Sequence, residues 1–265
     1  WCMEIKECSF QKKKWKKKVT VLAQSKWNIP VLAYFMNNTQ RVERSESCMT
    51  LQPEVVMRYG LDFWKDKTDR KEKRIMKIEE RSALLVIDIQ QEDCQEMNES
   101  NMNDPEWECI RNAKRVLDVF RARKLPVIQI KEVHRPDMVD IGRELDGSEG
   151  VHCIESSPNT DYAWLTYPIE GEYLISKRRY SAFFATDLEI LLKGLHVDTL
   201  YMIGGLTDVC IHYTAVDAHQ NDYHIRVVTD AVAGSSEEAH RYALKAIRYL
   251  QRDALVTVAD IESAL

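Results

Sequence analysis

Tyr201-Met202-Ile203-Gly204-Gly205-Leu206-Thr207-Asp208-Val209-Cys210 is an apolar run that breaks on a pair of glycines and then delivers a cysteine into a helix-like segment. Read as strand, glycine turn and helix, with Asp208 as the cap, it puts Cys210 in the first helical turn. There, unpaired backbone amides and the positive end of the helix dipole favour a thiolate. The same amides can hold an oxyanion, and the glycines let that backbone approach a substrate closely. If the chain brings a base and a cation to the same place, Cys210 is the nucleophile of a covalent hydrolase.

Working back along the chain, Ala83-Leu84-Leu85-Val86-Ile87 is a continuous apolar run ending on Asp88, the pattern of a parallel strand buried on both faces. Asp104-Pro105-Glu106 opens a helix whose buried face is Ile110, Ala113, Val116, Leu117 and Phe120. Pro126 to Val133 is a second strand, and a long loop over roughly 134–171, rich in Pro, Gly, Asp and Ser, is placed to build pocket walls. Tyr173 to Ser176 is a third strand ending on Lys177, and Thr186-Asp187 caps a helix carrying Leu188, Leu191, Leu192 and Leu195. Thr199 to Ile203 is the fourth strand. Beyond Cys210, His224 to Val228 reads as the fifth, Glu237 to Leu250 as a helix and Leu255 to Val258 as the sixth. Strands alternating with helices in this way predict an α/β fold: a doubly wound, six-stranded parallel sheet of Rossmann type with helices on both faces. Its site lies beyond the carboxyl ends of the strands. Asp88, Lys177 and Cys210 each fall just past such an end.

Composition narrows the class. Of 265 residues, 45% are hydrophobic, ample for a buried core. The seven cysteines are odd in number and widely spaced with no CxxC pair, which indicates neither a disulfide framework nor a zinc site and fits a reducing cytoplasm. The most apolar stretch, Val19 to Met36, is broken by Gln24, Ser25, Lys26, Asn28 and Pro30, so no membrane span is expected. Charge is uneven. Residues 1–80 hold 18 Lys+Arg against 11 Asp+Glu, leaving 19 against 31 for the remainder of the chain. The run Lys12-Lys13-Lys14-Trp15-Lys16-Lys17-Lys18 has a nucleic-acid or membrane-surface reading. The plainer one is a solvated, poorly ordered extension, and neither nucleic acid nor membrane is expected as a partner. Met76 stands just before the first convincing strand, so the working domain is expected over 76–265, behind a basic extension of 1–75.

A cysteine nucleophile needs its proton removed and its anion stabilised, and a carboxylate plus a lysine can do both. Asp88 is the base and Lys177 the cation that lowers the thiol pKa, and backbone amides at Leu206 and Cys210 are the oxyanion donors. Each residue taken singly has a duller reading: an Asp at a strand end is usually a cap, a Lys there is usually solvated, and a Cys in a first turn is usually inert. Complementary groups at three strand ends of one sheet are an improbable accident.

Leu85-Val86-Ile87-Asp88-Ile89-Gln90, the run Lys177-Arg178-Arg179-Tyr180-Ser181-Ala182-Phe183-Phe184-Ala185-Thr186-Asp187-Leu188, and Gly204-Gly205-Leu206-Thr207-Asp208-Val209-Cys210 together resemble the isochorismatase-like cysteine hydrolases over about 80–265. The resemblance implies Asp88, Lys177 and Cys210 as the catalytic triad and a cis peptide at Gly205–Leu206. It also implies a homo-oligomer and a small-molecule substrate with water as co-substrate. Glu132-Val133-His134-Arg135-Pro136-Asp137 looks like the segment found in the ureide and biuret hydrolases. Glu132, His134 and His152 could be metal ligands but are loosely spaced, so neither metal nor cofactor is expected. Where the family often has Asn-Asp-Phe after the first motif, this chain has Gln91-Glu92-Asp93, so an aromatic pocket wall must come from elsewhere. The candidate substrate-binding residues are Gln90, His134, Trp164, Tyr180, Phe183 and Phe184. The expected function is a cytoplasmic amidohydrolase cutting a C–N bond of a small amide, ureide or carbamoyl compound. The alternatives are vinyl-ether hydrolysis of the isochorismatase type and a catalytically idle scaffold.

Overall fold

The computed structural model describes residues 78–264, together with three short strands of the preceding stretch. Those are β1 (Val19–Val21), β2 (Glu43–Ser45) and β3 (Cys48–Leu51), paired antiparallel in the order β1-β3-β2. The sequence pattern assigned no element there. The lysine run 12–18 lies outside the described residues. The chain divides into two units at Arg74–Ile75, one residue from the expected boundary.

The second unit is built on a six-stranded parallel sheet with the order β6-β5-β4-β7-β8-β9. Its strands are β4 (Ser82–Ile87), β5 (Val127–Glu132), β6 (Tyr173–Lys177), β7 (Thr199–Gly205), β8 (His224–Ala233) and β9 (Leu255–Val256). The helices are α1 (Glu108–Ala122), α2 (Leu188–Gly194), α3 (His212–Gln220), α4 (Glu237–Leu250) and α5 (Val258–Glu262). Every residue of β4 is buried, as a strand covered on both faces requires. Its side chains alternate between two cores. Ala83, Leu85 and Ile87 pack with Leu188 and Leu192 of α2, Ala215 of α3 and Ile247 of α4. Leu84 and Val86 pack with Val116, Leu117 and Phe120 of α1 and with Val258 and Ile261 of α5. Because β4 pairs with β5 on one edge and with β7 on the other, the chain order reverses at β4. A crevice therefore opens past the carboxyl ends of β4 and β7.

Two boundaries differ from expectation. β8 continues to Ala233 instead of stopping at Val228, because an irregularity in its register opposite Met202–Gly204 lets it resume beside Gly204 and Gly205. Bulges of this kind re-aim a strand near a site. At the other boundary Val258 starts α5 rather than ending a strand. Thr257 and Asp260 form a reciprocal capping box, a helix signal present in the sequence but overridden by the apolar run before it. The loop over 134–171 carries three 3-10 turns and is pinned to the sheet end by bridges Gln90–Tyr162 and His134–Ile154.

Candidate active site

The sheet delivers its three chemistry-bearing residues to one point. Asp88, the first residue past β4, has φ 51°, a left-handed conformation uncommon outside glycine. Lys177 ends β6 and is fully buried. Its ammonium stands 2.8 Å from Asp88 Oδ2, 3.4 Å from Cys210 Sγ and in close contact with Glu132 Oε2. One acidic oxygen from each of Asp88 and Glu132 and the Cys210 sulfur all lie within 4.8 Å of one another. Glu132, at the end of β5, is the fourth member of a cluster that the sequence pattern read as three.

Cys210 sits in a single π-helical turn, Thr207–Ile211, that leads into α3. Asp208 does not cap it, contrary to expectation. The N-cap position is Leu206, and the Asp208 carboxylate instead accepts from Ser235 N at 2.8 Å and Ser235 Oγ at 2.6 Å. That tie, with Thr207 Oγ1 2.8 Å from His240 Nδ1, anchors the turn holding Cys210 to the start of α4. The Gly205–Leu206 peptide is cis. Gly204 has φ 116°, and a Cβ there would come within 1.9 Å of Ile87 O, so only glycine fits between β4 and the turn.

The electrostatics correct the picture of a preformed thiolate. Burial and the Asp88 charge push the Cys210 thiol well above its ordinary value, and Lys177 lowers it only in part. Burial raises Asp88 to about 6, with Lys177 opposing and Glu132 adding to the rise. Lys177, disfavoured by burial, is nonetheless held well above its ordinary value by Asp88, Cys210 and Glu132. Burial works against the Glu132 carboxylate too, but hydrogen bonds from His134 and His152 and the Lys177 charge hold it well below the carboxylate range. The geometry thus places the Cys210 thiol beside an ammonium clamped by two carboxyl groups.

A cavity of about 460 Å³ opens over Cys210, lined by Gln90, Tyr180, Glu149, His152, Cys153 and Leu206 among others. Of the candidate substrate-binding residues, Gln90 and Tyr180 line it. Gln90 is buried and its amide is engaged: Nε2 donates to Glu132 O and Thr160 O, and Oε1 accepts from Glu132 N. These bonds fasten the segment after β4 to the end of β5. His134 is buried behind the wall, Trp164 is 40% exposed on the loop, and Phe184 is 59% exposed. Phe183 packs on the core against Tyr223. None of these four lines the cavity. Aromatic character alone could not separate core, surface and pocket.

The loosely spaced Glu132, His134 and His152 converge, and Glu144, which no sequence signal marked, joins them with all four donor atoms within 4.8 Å. Both imidazoles reach Glu132 Oε1, His134 at 3.1 Å and His152 at 2.9 Å. Glu144 is buried with both oxygens lacking a hydrogen-bond partner, as is His134 Nδ1. Burial and the nearby Glu132 raise Glu144 to about 7, and its hydrogen bond to Glu132 raises His152 to about 9. Two imidazoles and two carboxylates suit a divalent cation such as zinc, and the orphaned Glu144 oxygens are what such an ion would satisfy.

Residues 82–263 match the model of the isochorismatase domain. The chain belongs to the isochorismatase family. A Bacillus subtilis protein described as an uncharacterized isochorismatase family protein is 43% identical over 72 residues, which span 27% of this chain and 39% of that one. A probable inactive nicotinamidase of Arabidopsis thaliana is 30% identical over 173 residues, 60% of this chain and 84% of that protein. Among solved structures, the pyrazinamidase of Pyrococcus horikoshii in complex with zinc superposes with a TM-score of 0.56 at 26% identity. The match covers 67% of this chain and 99% of that one. In this isochorismatase-family protein no described helix is long and apolar enough to cross a membrane.

Proposed function

We propose that this protein is a cysteine-dependent amidohydrolase that cleaves a C–N bond of a small amide, ureide or carbamoyl compound through a covalent acyl-enzyme. The observation that carries the reading is the single Lys177 ammonium, 2.8 Å from Asp88 Oδ2 and 3.4 Å from Cys210 Sγ. The pyrazinamidase of known structure supports an amide substrate, while the Arabidopsis thaliana relative is described as a probable inactive nicotinamidase.

Asp88 takes the Cys210 proton as sulfur attacks the carbonyl carbon, and Lys177 stabilises the charge that moves between them. Backbone amides at Leu206 and Cys210 receive the oxyanion. Collapse of the tetrahedral intermediate breaks the C–N bond, and the amine leaves with the proton held by Asp88. Asp88 then deprotonates a water that attacks the thioester, releasing the acid and restoring the thiol. A divalent cation, if bound, would be held by Glu132, His134, Glu144 and His152 and would supply Lewis acidity.

The test is ammonia release from a panel of small amides and ureides, with pyruvate monitored from isochorismate, for the wild type and Cys210→Ala. Cys210-dependent ammonia is expected. Ammonia release unchanged in the variant refutes the nucleophile. Pyruvate without ammonia selects vinyl-ether hydrolysis instead.

A further inference from the structure

The cavity wall is one-sided in charge. Asp88, Glu92, Asp93, Glu132 and Glu149 all contribute carboxyl groups, and among the described residues lining it there is no lysine or arginine. The His152 ring is the one basic group, and it is bonded to Glu132. Lys177 lies beneath the floor, engaged by Asp88 and Glu132. The arginines that follow it in sequence face away. Arg178 pairs with Asp140 at 3.0 Å and contacts Val133 O, and Arg179 donates to Asp140 O at 2.6 Å. The remaining wall is largely apolar, including Ile89, Ile110, Val151 and Ala231.

We infer that this pocket admits uncharged or cationic reactants and rejects those bearing a carboxylate. This deepens the proposed function by naming the charge class of the amide, and it rests on Cys210 being the reacting group. The reason is physical. With no divalent cation on Glu132 and His152, a carboxylate entering the cavity loses its hydration, meets only the His152 ring, which Glu132 and Glu149 already engage, and lies among charges of its own sign. Low-dielectric walls focus that field toward the cysteine. The exposed or half-exposed acids of the wall, Glu92, Asp93 and Glu149, add to the sign set by Asp88 and Glu132.

The experiment uses the full chain, held in a chelator so that Glu132, His134, Glu144 and His152 carry no divalent cation, and three amides of matched shape: butanamide, β-alaninamide with an ammonium, and succinamate with a carboxylate. In parallel, Cys210 is alkylated with iodoacetamide or iodoacetate. The rate is read on the Cys210 peptide by mass spectrometry and normalised to the same pair of rates for N-acetylcysteine. The expected result is a kcat/KM for succinamate about tenfold or more below butanamide, β-alaninamide at or above butanamide, and a similar bias of Cys210 toward iodoacetamide. The Glu92→Gln/Glu149→Gln double variant should narrow both gaps. A normalised alkylation ratio near one, or succinamate turned over as fast as butanamide in a Cys210-dependent reaction, overturns the inference and leaves the amidase reading standing. The alkylation bias without ammonia from any amide supports the charge selection and removes the amidase reading.

Discussion

Replacing Lys177 by methionine takes one buried cation from between two buried carboxyl groups. The ammonium contacts both Asp88 and Glu132; Glu132 keeps His134 and His152, but Asp88 has no other basic group within ion-pair distance among the described residues, so the charge left bare is chiefly its own. Removing one partner of a buried ion pair costs about 3–5 kcal/mol, because the charge left behind is uncompensated. In a domain of roughly 150–250 residues each kcal/mol moves the melting temperature by about 2–4 °C, so a fall of about 6–20 °C is expected at pH 8. The pH dependence carries a sign. Asp88 already titrates near 6, above its ordinary carboxylate value, and losing Lys177 removes the influence that opposes this rise. A carboxyl raised in the folded state destabilises when ionised, and that penalty disappears as pH falls through its folded value. The deficit of Lys177→Met should therefore be largest at pH 8 and shrink toward pH 5. Thermal melts of wild type and variant at both values are the assay. A deficit equal at the two values, or below about 3 °C at pH 8, would refute the clamped arrangement.

Two further outcomes follow from the same cluster. Amide turnover by the wild type should decline on the acid side with an apparent pKa near 6, since Asp88 must be ionised to accept the thiol proton. A pH–rate profile flat from pH 5 to 8 would exclude Asp88 as the base. Zinc should bind the purified chain in a calorimetric titration, and Glu144→Gln should weaken that binding by about 10-fold or more, because it removes an acidic donor whose oxygens have no hydrogen-bond partner and, among the described residues, ion-pair contacts only with the His134 and His152 rings. Equal affinity in the two proteins would show that Glu144 is not a ligand.

What was legible in the sequence follows from which interactions are local. The six strands and the helix faces could be read because burial on two faces leaves a continuous apolar run in β4, and burial on one face leaves Val116, Leu117 and Phe120 at helical spacing. Asp88, Lys177 and Cys210 could be read because each follows a strand end and all the strands are parallel. Glu144 and Glu149 could not, since they arrive on a loop whose path is fixed by contacts such as Thr160 O with Gln90, distant in sequence. The thiolate expected at Cys210 failed for a related reason. Its environment is set by Asp88 and Glu132, which the helix containing the cysteine does not reveal. Gln90 was a candidate for substrate contact, but a side chain amide can as easily fasten two strands, and here it does.

Glu132 spends one oxygen on the Lys177 ammonium and the other on the histidine pair. The cluster around Cys210 and the cluster around Glu144 therefore share one carboxylate, and neither can be tuned alone. Whatever pulls that carboxylate toward a cation loosens its hold on the ammonium that steadies the thiol. An aspartate would sit back by about one carbon–carbon bond, roughly 1.5 Å, too short to serve both sides. In this fold a single methylene at the end of β5 lets one carboxylate reach the Lys177 ammonium and the His134–His152 pair at once.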